Sequence, residues 1–222
     1  SEEDVKANRR SLLGEEKKDD FVGIWVNRNA KRKRPNDVLV SFSNFLDLLE
    51  KREGHRNATL IMHTEPTDQE GPNLFEVAEF LNIHDNIYFS RDRLDFDKMN
   101  ILYNISDYCL NISFAEGFGL TTLEAMMAST PIIAAKTGGL TRQVVNHKNG
   151  TQNGIALNIT NQTLVGSQNV PYIYEDYVSN SDVTKAMYKL YKNNKDPKKK
   201  KSLKRKVLKY AREEFNHQET ID

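Results

Sequence analysis

Residues 111–140 read NISFAEGFGLTTLEAMMASTPIIAAKTGGL. The apolar run YCLNIS (108–113) reads as a strand, FAEGFG (114–119) as a turn, LTTLEAMMA (120–128) as a helix and PIIAA (131–135) as a second strand. That alternation is the repeating unit of a parallel sheet with crossover helices. It sets the FAEGFG turn at the carboxyl end of a parallel strand, where open α/β sheets hold their ligands. Gly117 and Gly119 remove side chains from the turn, so the backbone can approach a ligand, and the first free N–H groups of the following helix point toward it. Such a helix end favours an anion, and the amides around Phe118, Gly119 and Leu120 are the candidate donors to a phosphate or diphosphate.

Glu116 precedes the turn and Glu124 follows about one helical turn into the helix. A catalytic carboxylate pair, a phosphate-binding loop and an ordinary strand-to-helix turn each account for part of this pattern. Two carboxylates cleaving a glycosidic bond flank that bond at a few ångströms, which this spacing does not suggest. The division that suits the spacing sets Glu116 beside a reacting group and Glu124 on sugar hydroxyls, from which a carboxylate accepts two hydrogen bonds.

Outward from this stretch the same alternation continues. Strands are expected at FVGIWV (21–26), ATLIMH (58–63), NIYFS (86–90) and, more weakly, GIALNI (154–159). Pro35 suits a first helical position, and Val38, Phe42, Phe45, Leu46 and Leu49 repeat with helical period behind it. Leu74, Val77, Ala78 and Leu81 make a second stripe, and Val183, Ala186, Met187, Leu190 and Tyr191 a third. The expected fold is one α/β, Rossmann-like domain over residues 20–222, with a parallel sheet and helices on both faces. Residues 1–19 read as a charged, poorly packed lead-in and residues 158–180 as a long loop. Between Lys198 and Arg212 an apolar stripe runs beneath a very basic surface, which reads as a solvated helix face, with a polyanion or peripheral membrane contact as the alternative.

Composition narrows the function classes. The 32 basic and 31 acidic side chains nearly cancel, so no overall field draws the chain to nucleic acid. Cys109 is the single cysteine, which leaves no disulfide framework and no thiolate zinc site. A reducing, cytoplasmic setting is expected, and the Asn-x-Ser/Thr matches, among them Asn111 in an expected buried strand, read as chance. No Gly-x-Gly-x-x-Gly follows the first strand, against a dinucleotide oxidoreductase, and no Gly-Lys-Ser/Thr supports a nucleoside triphosphatase.

After the first strand, VNRNAKRKRP crowds Arg28, Lys31, Arg32, Lys33 and Arg34 into a loop at the same sheet edge as the glycine turn, where a diphosphate needs charged donors. The AAKTGGL segment adds Gly138 and Gly139 after another strand.

EGFGLTTLEAM, NRNAKRKR and TPIIAAKTGGL together resemble the carboxyl-terminal half of retaining glycosyltransferases of the GT-B fold, the group 1 family, from about Phe21 to Phe215. The resemblance implies a donor-binding domain for a nucleoside diphosphate sugar such as a UDP or GDP sugar. It implies that Arg28 and Lys33 hold the diphosphate, that Glu116 faces the transferred sugar as the catalytic residue, and that Glu124 takes the ribose hydroxyls. Backbone near Tyr88, Phe89, Ser90 and Arg91 would border the base, though YFSRDRLDFD lacks the family's usual glycine. Arg142 or Gln143 stands where the family often carries a glutamate. The resemblance implies transfer with retained configuration, without metal or cofactor, to an acceptor glycan, lipid or protein bound by a second, amino-terminal domain. This chain alone is therefore expected to be inactive. A stand-alone nucleotide-sugar-binding module and a sugar-nucleotide epimerase of similar fold are the alternatives.

Overall fold

The apolar runs pair as one parallel sheet. In the computed structural model, which describes residues 2–216, β1 (Phe21–Val26), β2 (Ala58–His63), β3 (Ile87–Ser90), β4 (Tyr108–Asn111), β5 (Ile132–Ala135) and β6 (Gly154–Leu157) lie in the order β3-β2-β1-β4-β5-β6. Every pairing in this sheet is parallel. The chain winds outward from β1 through β2 to β3, then returns to β4 and winds out the other way. This reversal opens a crevice at the carboxyl ends of β1 and β4, the place where doubly wound sheets bind ligands.

The described helices are α1 (Glu2–Leu13), α2 (Pro35–Glu53), α3 (Leu74–Phe80), α4 (Phe96–Ile105), α5 (Leu120–Met127), α6 (Leu140–Val144), α7 (Asn180–Asn194) and α8 (Pro197–Glu214). Helices α2, α3 and α7 cover one face of the sheet, and α1, α4, α5, α6 and α8 the other. Side chains alternate between the faces with the period of a strand. Trp25, Leu60, Met62 and Leu110 enter the first core, while Ile24, Val26, Ile61 and Cys109 enter the second. Burial on both sides explains why the strands read as continuous apolar runs. The stripe Val38, Phe42, Phe45, Leu46 and Leu49 is fully buried, Pro35 opens α2, and Gly54 closes it in the left-handed region at φ 78°. No described helix is long and apolar enough to cross a membrane.

Two expectations are corrected. The segment taken for a poorly packed lead-in contains α1, and its buried Arg9 ties it down. The guanidinium donates to the carbonyls of Ile105 and Asp20 and to Asp107 Oδ2, each at 2.8 Å. Asp107 also accepts from the Val22 amide at 2.9 Å and from Lys200 of α8 at 2.8 Å, so one carboxylate joins α1, β1, β4 and α8. Burial pushes this carboxyl upward, but Arg9 and Lys200 outweigh it and hold it below the usual carboxylate range. The second correction is the long loop, much of which is a hairpin of β7 (Asn161–Val165) and β8 (Ile173–Tyr177), paired antiparallel with Thr163 opposite Glu175.

Because Asp107 titrates lower folded than unfolded, its contribution is present above about pH 4 and is lost as pH falls through the folded value. Arg9→Met should therefore cost about 3 kcal/mol at neutral pH, since removing one partner leaves a buried charge undercompensated. At roughly 2–4 °C per kcal/mol for a chain of this size, the thermal midpoint should fall by about 6–12 °C. The gap from the unaltered chain should narrow in acid. An unchanged midpoint at pH 7 would show that α1 does not anchor the fold.

Candidate functional site

The crevice is built from the loops that leave β1 and β4. After β1 the chain makes a single 3-10 turn over Lys31–Lys33, and Arg34 then takes the left-handed region at φ 57°, unusual for a residue with a Cβ. Arg34 is held there from several sides. It donates to Asp37 at 2.9 Å and to the Val178 carbonyl at 3.2 Å, and its guanidinium lies 5.1 Å from the Phe114 ring and 5.6 Å from that of Tyr177. Across the crevice the Phe114 amide donates to the Arg32 carbonyl at 2.9 Å, so the two loops are joined by backbone. This arrangement turns Lys33 inward. Its amine forms an ion pair with Glu116, and both side chains are largely buried. Ser113 Oγ also donates to Glu116 Oε2, at 3.3 Å.

Arg28 shares a cleft of about 540 Å³ with Lys33, Arg91 and Thr121, but it does not meet Glu116. Its exposed guanidinium is held by Asp68 at 2.8 and 3.3 Å and by Glu70 at 3.0 Å. Asp68 and Glu70 compete with any anion for this arginine. The same cleft is lined by Asn27 and Thr64, and both carry a buried polar atom, Nδ2 and Oγ1, with no hydrogen-bond partner among the described residues. Buried polar atoms are ordinarily paired, so these two are candidate ligand contacts that no sequence motif marks. His63, also in this cleft, bonds Ser90 Oγ at 2.9 Å, and burial holds its pKa below the ordinary histidine value.

The glycine turn leads into α5 from Gly119, which adopts φ 85° and offers no side-chain cap. By contrast α3, α4, α7 and α8 begin with capping side chains from Asn73, Asp95, Ser179 and Asp196. The first turn of α5 thus presents N–H groups without a local acceptor, and its dipole favours an anion. Gly117 has open space where a Cβ would stand. Gly138 has the opposite reason to be glycine. A Cβ there would lie 1.9 Å from the Glu116 carbonyl oxygen, and the next amide, Gly139 N–H, donates to the carbonyls of Glu116 at 3.2 Å and Gly117 at 3.0 Å. The glycine pair after β5 therefore supports the Glu116 turn from behind. Gln143, fully buried in α6, completes the support. Its amide donates to the carbonyls of Phe118 at 2.7 Å and Gly119 at 3.1 Å, and its oxygen accepts from Thr122 Oγ1 at 2.5 Å.

Glu124 lies beyond the first turn of α5 and accepts a hydrogen bond from the Tyr103 phenol at 2.8 Å. It faces a second cleft, also about 540 Å³, between α4 and α5, lined by Leu94, Phe96, Met99, Leu120 and Leu123. Leu120 and Thr121, adjacent in the first turn of α5, each line one of the two clefts. Tyr88, Phe89 and Ser90 lie inside β3. Tyr88 packs on the second core, Phe89 meets Phe75 at 4.8 Å between ring centres, and Ser90 holds His63. Arg91 alone of these four lines the first cleft, paired with Glu65 at 3.3 Å.

The reversed strand order, the inward lysine and the uncapped helix define a Rossmann-like domain with an anion-receptive crevice. The chain belongs to the glycosyl transferases group 1 family, whose profile matches residues 8–163. It is 33% identical over 143 residues, 60% of its length, to D-inositol 3-phosphate glycosyltransferase 2 of Catenulispora acidiphila, and spans 31% of that relative. Its fold matches the carboxyl-terminal domain of the group 1 protein LpcC from Francisella tularensis with a TM-score of 0.64 at 19% identity, covering 94% of this chain and 93% of that one. Anabaena HepE, solved with UDP-glucose, matches with a TM-score of 0.67 at 16% identity over 96% of this chain and 49% of its own. These likenesses place the fold as one Rossmann-like half of GT-B, and the chain spans less than half the length of HepE.

Gly138 and Gly150 both adopt positive φ, but only Gly138 has a neighbour within 4 Å of an added Cβ. Gly150→Ala should cost about 1–2 kcal/mol, the left-handed backbone penalty alone. Gly138→Ala should cost a further ~1–3 kcal/mol by forcing the Glu116 turn away. Equal thermal midpoints for the two variants would show that the glycine pair does not support the turn.

Proposed function

We propose that this chain is the donor-binding domain of a retaining, metal-independent glycosyltransferase. It would hold a nucleoside diphosphate sugar for transfer to an acceptor bound by a second domain. The observation that carries this reading is the ion pair of Lys33 with Glu116 beside the uncapped start of α5, at the reversal of strand order. The complexes of HepE with UDP and with UDP-glucose support a uridine donor.

The diphosphate takes the amides of Phe118, Gly119 and Leu120 and displaces Glu116 as the partner of Lys33. Arg28 leaves Asp68 to close over the outer phosphate. These donors neutralise the charge that develops on the diphosphate as the sugar departs, the kind of preorganised stabilisation that contributes most to many enzymes. Glu116, released from Lys33 and retaining its bond from Ser113, faces the sugar attached to the outer phosphate. Glu124 accepts from the ribose hydroxyls in place of Tyr103, and the apolar cleft beyond it, walled by Leu94, Leu120 and Leu123, receives the base. On this placement the base lies against the segment just after β3, beyond Tyr88, Phe89 and Ser90. Alone, the chain holds a donor but supplies no second surface to orient an acceptor, a contribution worth about 7–11 kcal/mol of barrier lowering.

Calorimetry with chelator present separates the phosphate contact from the rest. Lys33→Ala should weaken UDP about tenfold or more, the loss of one charge-assisted hydrogen bond, and leave uridine nearly unchanged. Equal weakening of both would remove the phosphate assignment.

The two glutamates should also separate. Glu124→Gln should weaken UDP, whereas Glu116→Gln should retain or raise UDP affinity, because Lys33 loses its internal competitor. With an acceptor domain supplied, Glu116→Gln should abolish transfer. Loss of UDP binding in Glu116→Gln alone would reverse the roles.

A further inference from the structure

Whereas the donor crevice lies at the carboxyl ends of the central strands β1 and β4, the amino-terminal end of β6, an edge strand of the sheet, borders a cavity of about 630 Å³. Lys189 and Asn193 of α7, Lys198, Lys199 and Lys206 of α8, and Gly154 of β6 line it, and no aspartate or glutamate is among its lining residues. Five neighbouring lysines behave differently, although Lys201 and Lys204 of α8, like the cavity lysines, make no ion pair among the described residues. Lys185, Lys192 and Lys195 in and just after α7, and Lys200 and Lys209 in α8, each reach a carboxylate, whereas none of the four cavity lysines makes an ion pair among the described residues. Lys206 donates to the Gln152 carbonyl, which fixes its amine at the rim. Asp196 caps the start of α8 through the Lys198 and Lys199 amides, so the helix end itself is occupied and the free charge is that of the side chains.

Four lysines line one cavity with no carboxylate among its lining residues, so their like charges repel, and a multiply charged anion converts that repulsion into attraction. Lysine suits such a guest because it contributes a point charge without a fixed fork geometry. We propose that this cavity is a second anion site, separate from the donor crevice, for a ligand carrying more than one phosphate charge, either a soluble polyphosphate or the headgroup of an anionic phospholipid. The assignment does not depend on the donor reading, because the cavity and the donor crevice share no lining residue.

The test is titration of the chain with inorganic tripolyphosphate, followed by amide chemical shifts. The proposal requires shifts in residues 189–206 that the double variant Lys189→Gln, Lys199→Gln weakens by about tenfold or more, while its thermal midpoint and its UDP titration stay as in the unaltered chain. Shifts confined to residues 28–33 and 116–120, or undiminished in the double variant, would overturn it. Co-sedimentation with phosphatidylglycerol–phosphatidylcholine vesicles distinguishes the source. Binding to these but not to pure phosphatidylcholine, lost in the double variant, assigns a lipid headgroup. Tripolyphosphate binding without vesicle binding assigns a soluble ligand.

Discussion

The loops that follow β1 and β4 share one crevice because the strand order reverses between those strands, and everything at the site depends on that constraint. The reversal brings a lysine and a glutamate that are 83 residues apart into contact. Neither would be stable there alone, since a largely buried charge needs a partner. Paired, they neutralise each other.

A second layer of contacts holds this geometry. Gln143 fixes the carbonyls of Phe118 and Gly119, and Gly139 fixes those of Glu116 and Gly117, so the amides of the same peptide units point away from Gln143 and Gly139. Arg34 ties the basic loop to Phe114 and Tyr177. The Asp176 amide donates to the Phe114 carbonyl at 2.8 Å, and its carboxylate accepts from Thr137 at 2.7 Å, which anchors the exposed β7–β8 hairpin directly to the Glu116 loop.

The six strands and the long buried helices were legible because burial on both sides leaves continuous apolar runs and helical stripes in the sequence. The contact of Lys33 with Glu116 followed once the sheet order was known. What escaped was whatever carries no apolar period. Half of the residues of helix α1 are charged and it is anchored by one buried arginine, so its composition resembles that of a free segment. The hairpin strands are exposed and alternate weakly, leaving Thr163, Val165, Ile173 and Tyr174 as β-favouring residues without a face to mark. The glycine pair at 138–139 was visible as a turn, but its close approach to the Glu116 backbone is a tertiary fact. Gln143 looked like a departure from the family pattern, and its work is to hold the carbonyls of Phe118 and Gly119 at the start of α5.

The central claim is that the diphosphate of a nucleotide sugar replaces Glu116 at Lys33 without a metal ion. A crystal structure of the chain with UDP, grown in chelator, tests it most directly. The account predicts a phosphate within hydrogen-bonding distance of the Lys33 amine and of the Phe118–Leu120 amides, Glu116 turned away from Lys33, and the ribose on Glu124. A diphosphate bound elsewhere, or bound in the crevice with the Lys33–Glu116 pair intact, would contradict it.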